Sequence, residues 1–240
     1  MRTVVIASLL LIMVSCAEIS IPTSFPTSIP TGSKPLTTAE ITEGLKEALK
    51  VGAKNSTGLA SQTDGFFKNP QLFIPFPSEA EKVKNTLIKA GFTKQVDEFT
   101  LTLNRAAEKA TEKALPIFVD AITSMTISDA MGILKGEDNA ATEYLKRTTS
   151  SQLQTAFKPI ARDAINKVNL TSYWEPLATN YNRITLLTGG KAVNPNLEDY
   201  VTQKAIDGLF ILIAKEEKNI RENPAARVTD ILKRVFANTK

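Results

Sequence analysis

The chain of 240 residues contains no histidine and a single cysteine, Cys16. The first absence removes Ser-His-Asp and Cys-His relays, histidine metal ligands and imidazole pH switches. The second leaves everything after residue 16 without a disulfide, a thiol nucleophile or a thiolate metal site, so a folded body must be held together by packing. An excess of charge is missing as well. The 29 Lys and Arg residues against 25 Asp and Glu give a net +4, too small and too evenly spread to argue for nucleic acid. What is present is ordinary for a globular protein: 42% hydrophobic and 22% charged residues, in a length sufficient for one large domain or two small ones.

The N-terminus carries Arg2 and then the apolar stretch Val4–Val14, interrupted only by Ser8. A bilayer span needs about 20 apolar residues, so residues 1–17 read as a signal peptide rather than a membrane helix. Its end reads in two ways. Met13-Val14-Ser15-Cys16 resembles a bacterial lipobox, with Met13 where Leu is usual, and would make Cys16 a lipidated first residue. Ser15-Cys16-Ala17 also places small residues three and one positions before a cut ahead of Glu18, which suits ordinary signal peptidase. The expectation is an exported protein, either secreted or anchored by lipid at an outer membrane. Residues 18–36, EISIPTSFPTSIPTGSKPL, repeat an apolar-Pro-Thr/Ser unit and read as an extended linker. Asn55 and Asn169 head N-glycosylation sequons that would matter only in a eukaryotic secretory route.

Residues 37–240 read as one helical domain. Thr37 with Glu40 forms a capping box ahead of Ile41, Leu45, Ala48, Leu49 and Gly52 on one face. Three prolines and the pairs Asp64-Gly65 and Asn69-Pro70 forbid a helix through DGFFKNPQLFIPFPS. Ser78 with Glu81 opens a short helix that stops at Gly91, and Val96, Phe99, Leu103, Ala106 and Ala110 form the buried stripe of the next. Pro116 starts or kinks the following helix, Thr126 with Asp129 caps a brief one ending near Gly136, and the stretch after Glu137 carries one or two more. Another is expected from Asn169 to Leu187 around Trp174, with a loop at Gly189-Gly190. The longest should run from 197 to 222 as a central rod, apolar on every side from Leu209 to Ala214 and therefore buried all round. No segment alternates like a strand, so the fold class is all-α, a multi-helix bundle-like domain.

The segments DGFFKNP, IPFP, LNRAAEKA, PIFVDAI, SMTISDAMGILKGEDNAATEYL and NPNLEDYVTQKAIDGLFILIAKEEKNIRENPAARVTDILKRVF, in this order, resemble a mostly bacterial family, domain of unknown function 4197, over roughly residues 37–237. The resemblance implies a helical, exported, often lipoprotein-like protein. It brings no known activity and no catalytic residues.

Chemistry in this chain would have to come from carboxylates, Lys, Tyr or Ser. Asp64, Glu98, Asp120, Asp129, Glu137 and Asp138 are the acids nearest the family-like segments, and each reads more simply as a cap, a first-turn acid or a surface charge. No catalytic residue, metal ligand or cofactor is assigned. Gly136-Glu137-Asp138-Asn139 lacks the alternating acids of a calcium loop and reads as a helix start capped by Asp138 or Asn139. Arg221, Arg227, Lys233 and Arg234 would form an anion-binding face only if the interleaved Glu216, Glu217, Glu222 and Asp230 did not pair with them. The segment that best suits a docking surface is the loop with Asp64, Phe66, Phe67, Lys68, Asn69, Phe73 and Phe76, stiffened by proline; the simpler reading plugs its phenylalanines into the core.

The resulting expectation is a non-catalytic extracytoplasmic protein that acts by binding or assembly, as a structural or matrix-type protein or an envelope lipoprotein. Its partner would be an extracellular or envelope protein or a second copy of itself, with no nucleic acid and with membrane contact only through a lipid on Cys16. Two alternatives predict different sites. A carboxylate-dependent envelope enzyme needs a cleft with two acids at glycosidase spacing, and a small-ligand carrier needs an apolar cavity between helices.

Overall fold

The capping box expected at Thr37 is formed. The Thr37 hydroxyl accepts from the Glu40 N–H at 3.2 Å and the Glu40 carboxylate accepts from the Thr37 N–H at 2.8 Å, which fixes the start of α1 (Thr38–Ser61). This computed structural model describes residues 36–240 apart from 79–80, 168–173, 175–177, 180, 184–185, 188, 190–191, 193–195, 224–225, 228–229 and 238–240. The expected signal peptide, Cys16, the linker up to residue 35 and the sequon at Asn169 lie outside the described residues, as does most of the helix expected around Trp174.

After α1 follow α2 (Glu81–Lys89), α3 (Thr93–Thr111), α4 (Ala114–Thr123), α5 (Ile127–Lys135), α6 (Ala140–Asn166), α7 (Leu197–Glu222) and α8 (Asp230–Ala237). No strand occurs among the described residues, and the fold is all-α. Residues Leu36–Lys240 form one compact unit.

Local chemistry explains most of the helix ends. Gly91, at φ +90°, turns the chain after α2 in a conformation that L side chains rarely adopt. Pro116 sits in the first turn of α4, where its missing N–H leaves no intrahelical bond unmade. Thr126 and Asp129 form the second capping box at the head of α5. The stretch after Glu137 is a single helix, α6, which runs through Pro159.

The core is assembled by α1, α3 and α6 packing against α7. Its largest fully buried side chains include Phe66, Phe99, Phe118, Phe157, Leu103, Leu153 and Leu209. The helix α7 is the central rod, but it is not buried all round. Leu209, Phe210, Leu212 and Ile213 are buried whereas Ile211 is 44% exposed, because the three packed neighbours leave one strip of the rod to solvent. Among the described residues, no single helix is long and apolar enough to cross a membrane.

Candidate functional site

The proline-rich loop between α1 and α2 is held by polar side chains of α3. Asp64 stands at φ +67°, and Gly65 follows where a Cβ would lie 2.4 Å from the Leu59 carbonyl oxygen, so the turn admits glycine alone. The N–H groups of Phe66 and Phe67 donate to Glu108 Oε1 at 3.1 and 3.2 Å. Further along, Asn104 accepts from the Ile74 N–H at 2.8 Å and donates to the Ile74 carbonyl at 2.9 Å. Asn104 is completely buried and Glu108 nearly so, and each satisfies loop backbone that no helix or strand could pair.

Arg105 ties this arrangement together. Its guanidinium reaches Glu108 Oε2 and Asp64 Oδ1 at 2.6 Å each and lies over the Phe67 ring, 5.6 Å from the centroid. Lys68 closes on the other Asp64 oxygen at 2.8 Å. Hydrogen bonding from Lys68 and then Arg105 holds the Asp64 carboxyl below its ordinary value, and bonding to Glu108 and Asp64 raises Arg105 above its own.

The seven residues proposed for docking therefore divide. Phe66 and Phe76 are core residues, and the Phe76 ring packs against Phe99 and Trp174. Asp64 and Asn69 hold the loop in shape, the latter by accepting from the Gln71 N–H at 3.0 Å. Lys68 and Phe73 are exposed and Phe67 is half-buried, with the two rings 6.1 Å apart. The spacing of the phenylalanines could not separate these groups, since adjacent Phe66 and Phe67 differ in burial, the first fully enclosed and the second half-buried.

The side of α3 that carries Arg105 also lines a groove. Thr102, Arg105, Ala106, Lys109 and Lys113 form one wall, and Ile160, Asp163, Ala164 and Lys167 of α6 form the other, around about 590 Å³ of space open to solvent. Lys109 pairs with Glu112 at 2.6 Å, whereas the side chains of Lys113 and Lys167 make no ion pair or hydrogen bond with a described residue. Asp163 is the one carboxylate among the described lining residues. The sequence reading missed this groove: its walls lie about fifty residues apart, and the only hint was the basic stripe at 105, 109 and 113.

The other acids do not converge. Asp129 caps α5, and the Thr126 hydroxyl and backbone N–H hold its carboxyl below its ordinary value. Glu98 lies beside Lys94, and Asp120, Glu137 and Asp138 are exposed. The helix start expected to be capped by Asp138 or Asn139 is capped from elsewhere. Asn139 occupies the N-cap position without a side-chain bond, and buried Glu217 of α7 accepts from the N–H groups of Ala141 and Thr142 at 3.0 and 2.8 Å. Arg221 completes this cluster at 2.8 Å from Glu217, Arg227 donates to the carbonyls of Ile220 and Arg221, and Lys233 pairs with Asp230. Arg221, Arg227 and Lys233 thus serve helix ends and local pairs. In the sequon at Asn55, the amide donates to Glu216 at 2.7 Å from within α1, and Ser56 is buried.

Fold and site together define an all-helical protein with a rigid aromatic loop beside a groove that is cationic at its rim and apolar at its floor. The chain belongs to the family described as Protein of unknown function (DUF4197), whose model matches residues 35–237. Comparison with curated proteins and with solved structures finds no match.

Proposed function

We propose that this protein is an exported, non-catalytic helical protein that acts by binding, with the α3–α6 groove as its binding site. The observation that carries this reading is the groove itself. At about 590 Å³ it lies within the roughly 300–1,000 Å³ of small-molecule sites, and its described lining holds one carboxylate instead of the pair that a glycosidase needs. The apolar run Val4–Val14 ahead of Cys16 supports export.

The test is thermal unfolding of the full mature chain against a panel of fatty acids, nucleotides, sugars and peptides, beside Ala164→Phe, which fills the groove floor. At least one class should raise the wild-type Tm by roughly 5 °C or more at about 100 times Kd and leave the filled variant unmoved. A panel in which nothing distinguishes the two proteins removes the groove as the binding site. Export is tested separately by the intact mass of the protein from its native cell. A first residue at acylated Cys16 or bare Glu18 supports it, and a chain still beginning at Met1 refutes it.

A further inference from the structure

We propose that the α3–α6 groove takes an amphipathic anion, a molecule with an apolar body and a carboxylate or phosphate head; this rests on the reading of the groove as the binding site. The floor is supplied by Ala106, Ile160 and Ala164. Two of the three are alanines, so the space exists because small side chains face each other across the helix pair. An apolar body laid there meets methyl groups and the aliphatic stems of the flanking lysines.

The cations that remain available select the head group. Arg105 is fixed by Asp64 and Glu108 and by its position over the Phe67 ring, so it serves as wall. Lys109 has Glu112 as a partner, although both are largely exposed and their contact exchanges readily with solvent. Lys113 and Lys167 remain, one from each wall, and neither is paired with a described residue. Asp163 is the single acid set among the four cations. A neutral amphiphile would gain nothing from the two lysines, and a small inorganic anion would leave the floor uncovered.

A different role for the two lysines makes a different prediction. Lys113 directly precedes α4, next to the last turn of α3, and Lys167 is the C-cap residue of α6. Lys167 complements the partial negative charge of the α6 C-terminus, whereas Lys113 lies between the C-terminus of α3 and the N-terminus of α4, whose opposite partial charges offset; such a role affects stability and not ligand affinity.

The deciding experiment is calorimetric titration of the full mature chain, below the micelle threshold, with decanoate, decyl phosphate, decyl maltoside, acetate and inorganic phosphate. Decanoate, decyl phosphate or both should bind, and the stronger of the two identifies the head group. Decyl maltoside, acetate and inorganic phosphate should bind at least about tenfold more weakly. The double variant Lys113→Gln/Lys167→Gln should lose about tenfold in affinity for the charged amphiphile, and rising salt should weaken the wild type more than the variant. Ala164→Phe should abolish binding while retaining the helical circular dichroism of the wild type.

Equal affinity for decyl maltoside, or unchanged affinity in the double variant despite altered stability, overturns the proposal. Inorganic phosphate binding as tightly as decyl phosphate does the same. The two levels of inference fail separately: a neutral ligand that Ala164→Phe excludes keeps the groove as a site and removes the anion, whereas a groove that binds no class of ligand removes both.

Discussion

Glu217 is the residue whose replacement tests the account of the fold most directly. Its side chain is 6% exposed, and its two oxygens together accept from the N–H groups of Ala141 and Thr142, from the Thr142 hydroxyl at 2.7 Å and from Arg221. In Glu217→Gln the shape is kept and one acceptor oxygen becomes a donor. Whichever way the amide turns, its NH2 faces backbone N–H groups or the guanidinium. One set of charge-assisted hydrogen bonds is lost, worth about 1.5–3 kcal/mol. Arg221, with its side chain 14% exposed, also loses its counter-charge but keeps its bond to the Ile133 carbonyl. The total should fall short of the roughly 3–5 kcal/mol for halving a fully buried pair, so we expect about 2–4 kcal/mol. That corresponds to a fall in Tm of roughly 5–15 °C for a domain of this size. Urea unfolding measures it as a lower midpoint at an unchanged slope. The control is Asn139→Ala, which removes the residue at the N-cap position and should cost less than about 0.5 kcal/mol, because its side chain caps nothing. A Glu217→Gln protein within about 0.5 kcal/mol of wild type, or an Asn139→Ala protein that is the less stable of the two, would refute the assignment of the cap to α7.

Four further substitutions address the loop and the helix contacts. In Gly208→Ala the new Cβ would lie 2.8 Å from Cε1 of the fully buried Phe66 ring; a loss of about 1–2 kcal/mol is expected after the gain in helix propensity. Gly58→Ala adds a methyl into open space on α1 and should gain about 0.5–1 kcal/mol, so thermal unfolding that moves both variants in the same direction contradicts the packing described. Asn104→Leu strips the Ile74 N–H and carbonyl of their partners and should cost about 3 kcal/mol, with loss of hydrogen-exchange protection at the Ile74 amide; an amide that stays protected speaks against the anchor. Because the folded Asp64 carboxyl lies below its unfolded value, the stability it contributes is complete above the unfolded pKa of about 3.9 and is lost as pH falls through the folded one. The gap between wild type and Asp64→Asn, measured by urea unfolding, should therefore shrink as pH falls from about 4 through the lowered folded value, and a constant gap would show that the pairing does not survive in solution.

The parts of the fold legible in the sequence are those written within four residues of one another. Thr37 with Glu40 and Thr126 with Asp129 announce their helices because each capping bond joins residues three apart. The stripe Val96, Phe99, Leu103, Ala106 and Ala110 is buried in full, as helical periodicity requires of a face turned to a core. The same reasoning went wrong at Ile211, since an apolar run says nothing about how many neighbours a helix has. It went wrong again at the head of α6, where the nearby Asn139 makes no cap and the acceptor comes from Glu217, 76 positions beyond Ala141.

The candidate site follows the same division. The loop was found from Asp64-Gly65, Asn69-Pro70 and the prolines, which are local signals, but the separation of Phe66 and Phe76 from Phe67 and Phe73 depends on where α3 places Asn104 and Glu108. Of the groove only the basic stripe at 105, 109 and 113 could be read, because the space exists only where Ala106 on α3 comes to face Ala164 on α6. By itself, then, the sequence determined an all-helical chain without histidine or disulfide chemistry, the two capping boxes, the breaks at glycine and proline, and the buried stripes of α1 and α3, all of which rest on dihedral preferences and hydrogen bonds between near neighbours. Only the tertiary structure decided which acids became internal partners, which phenylalanines kept exposed surface and which lysines beside an open groove had no partner among the described residues. Those outcomes depend on distances between residues far apart in the chain, and such distances are set by the packing of whole helices.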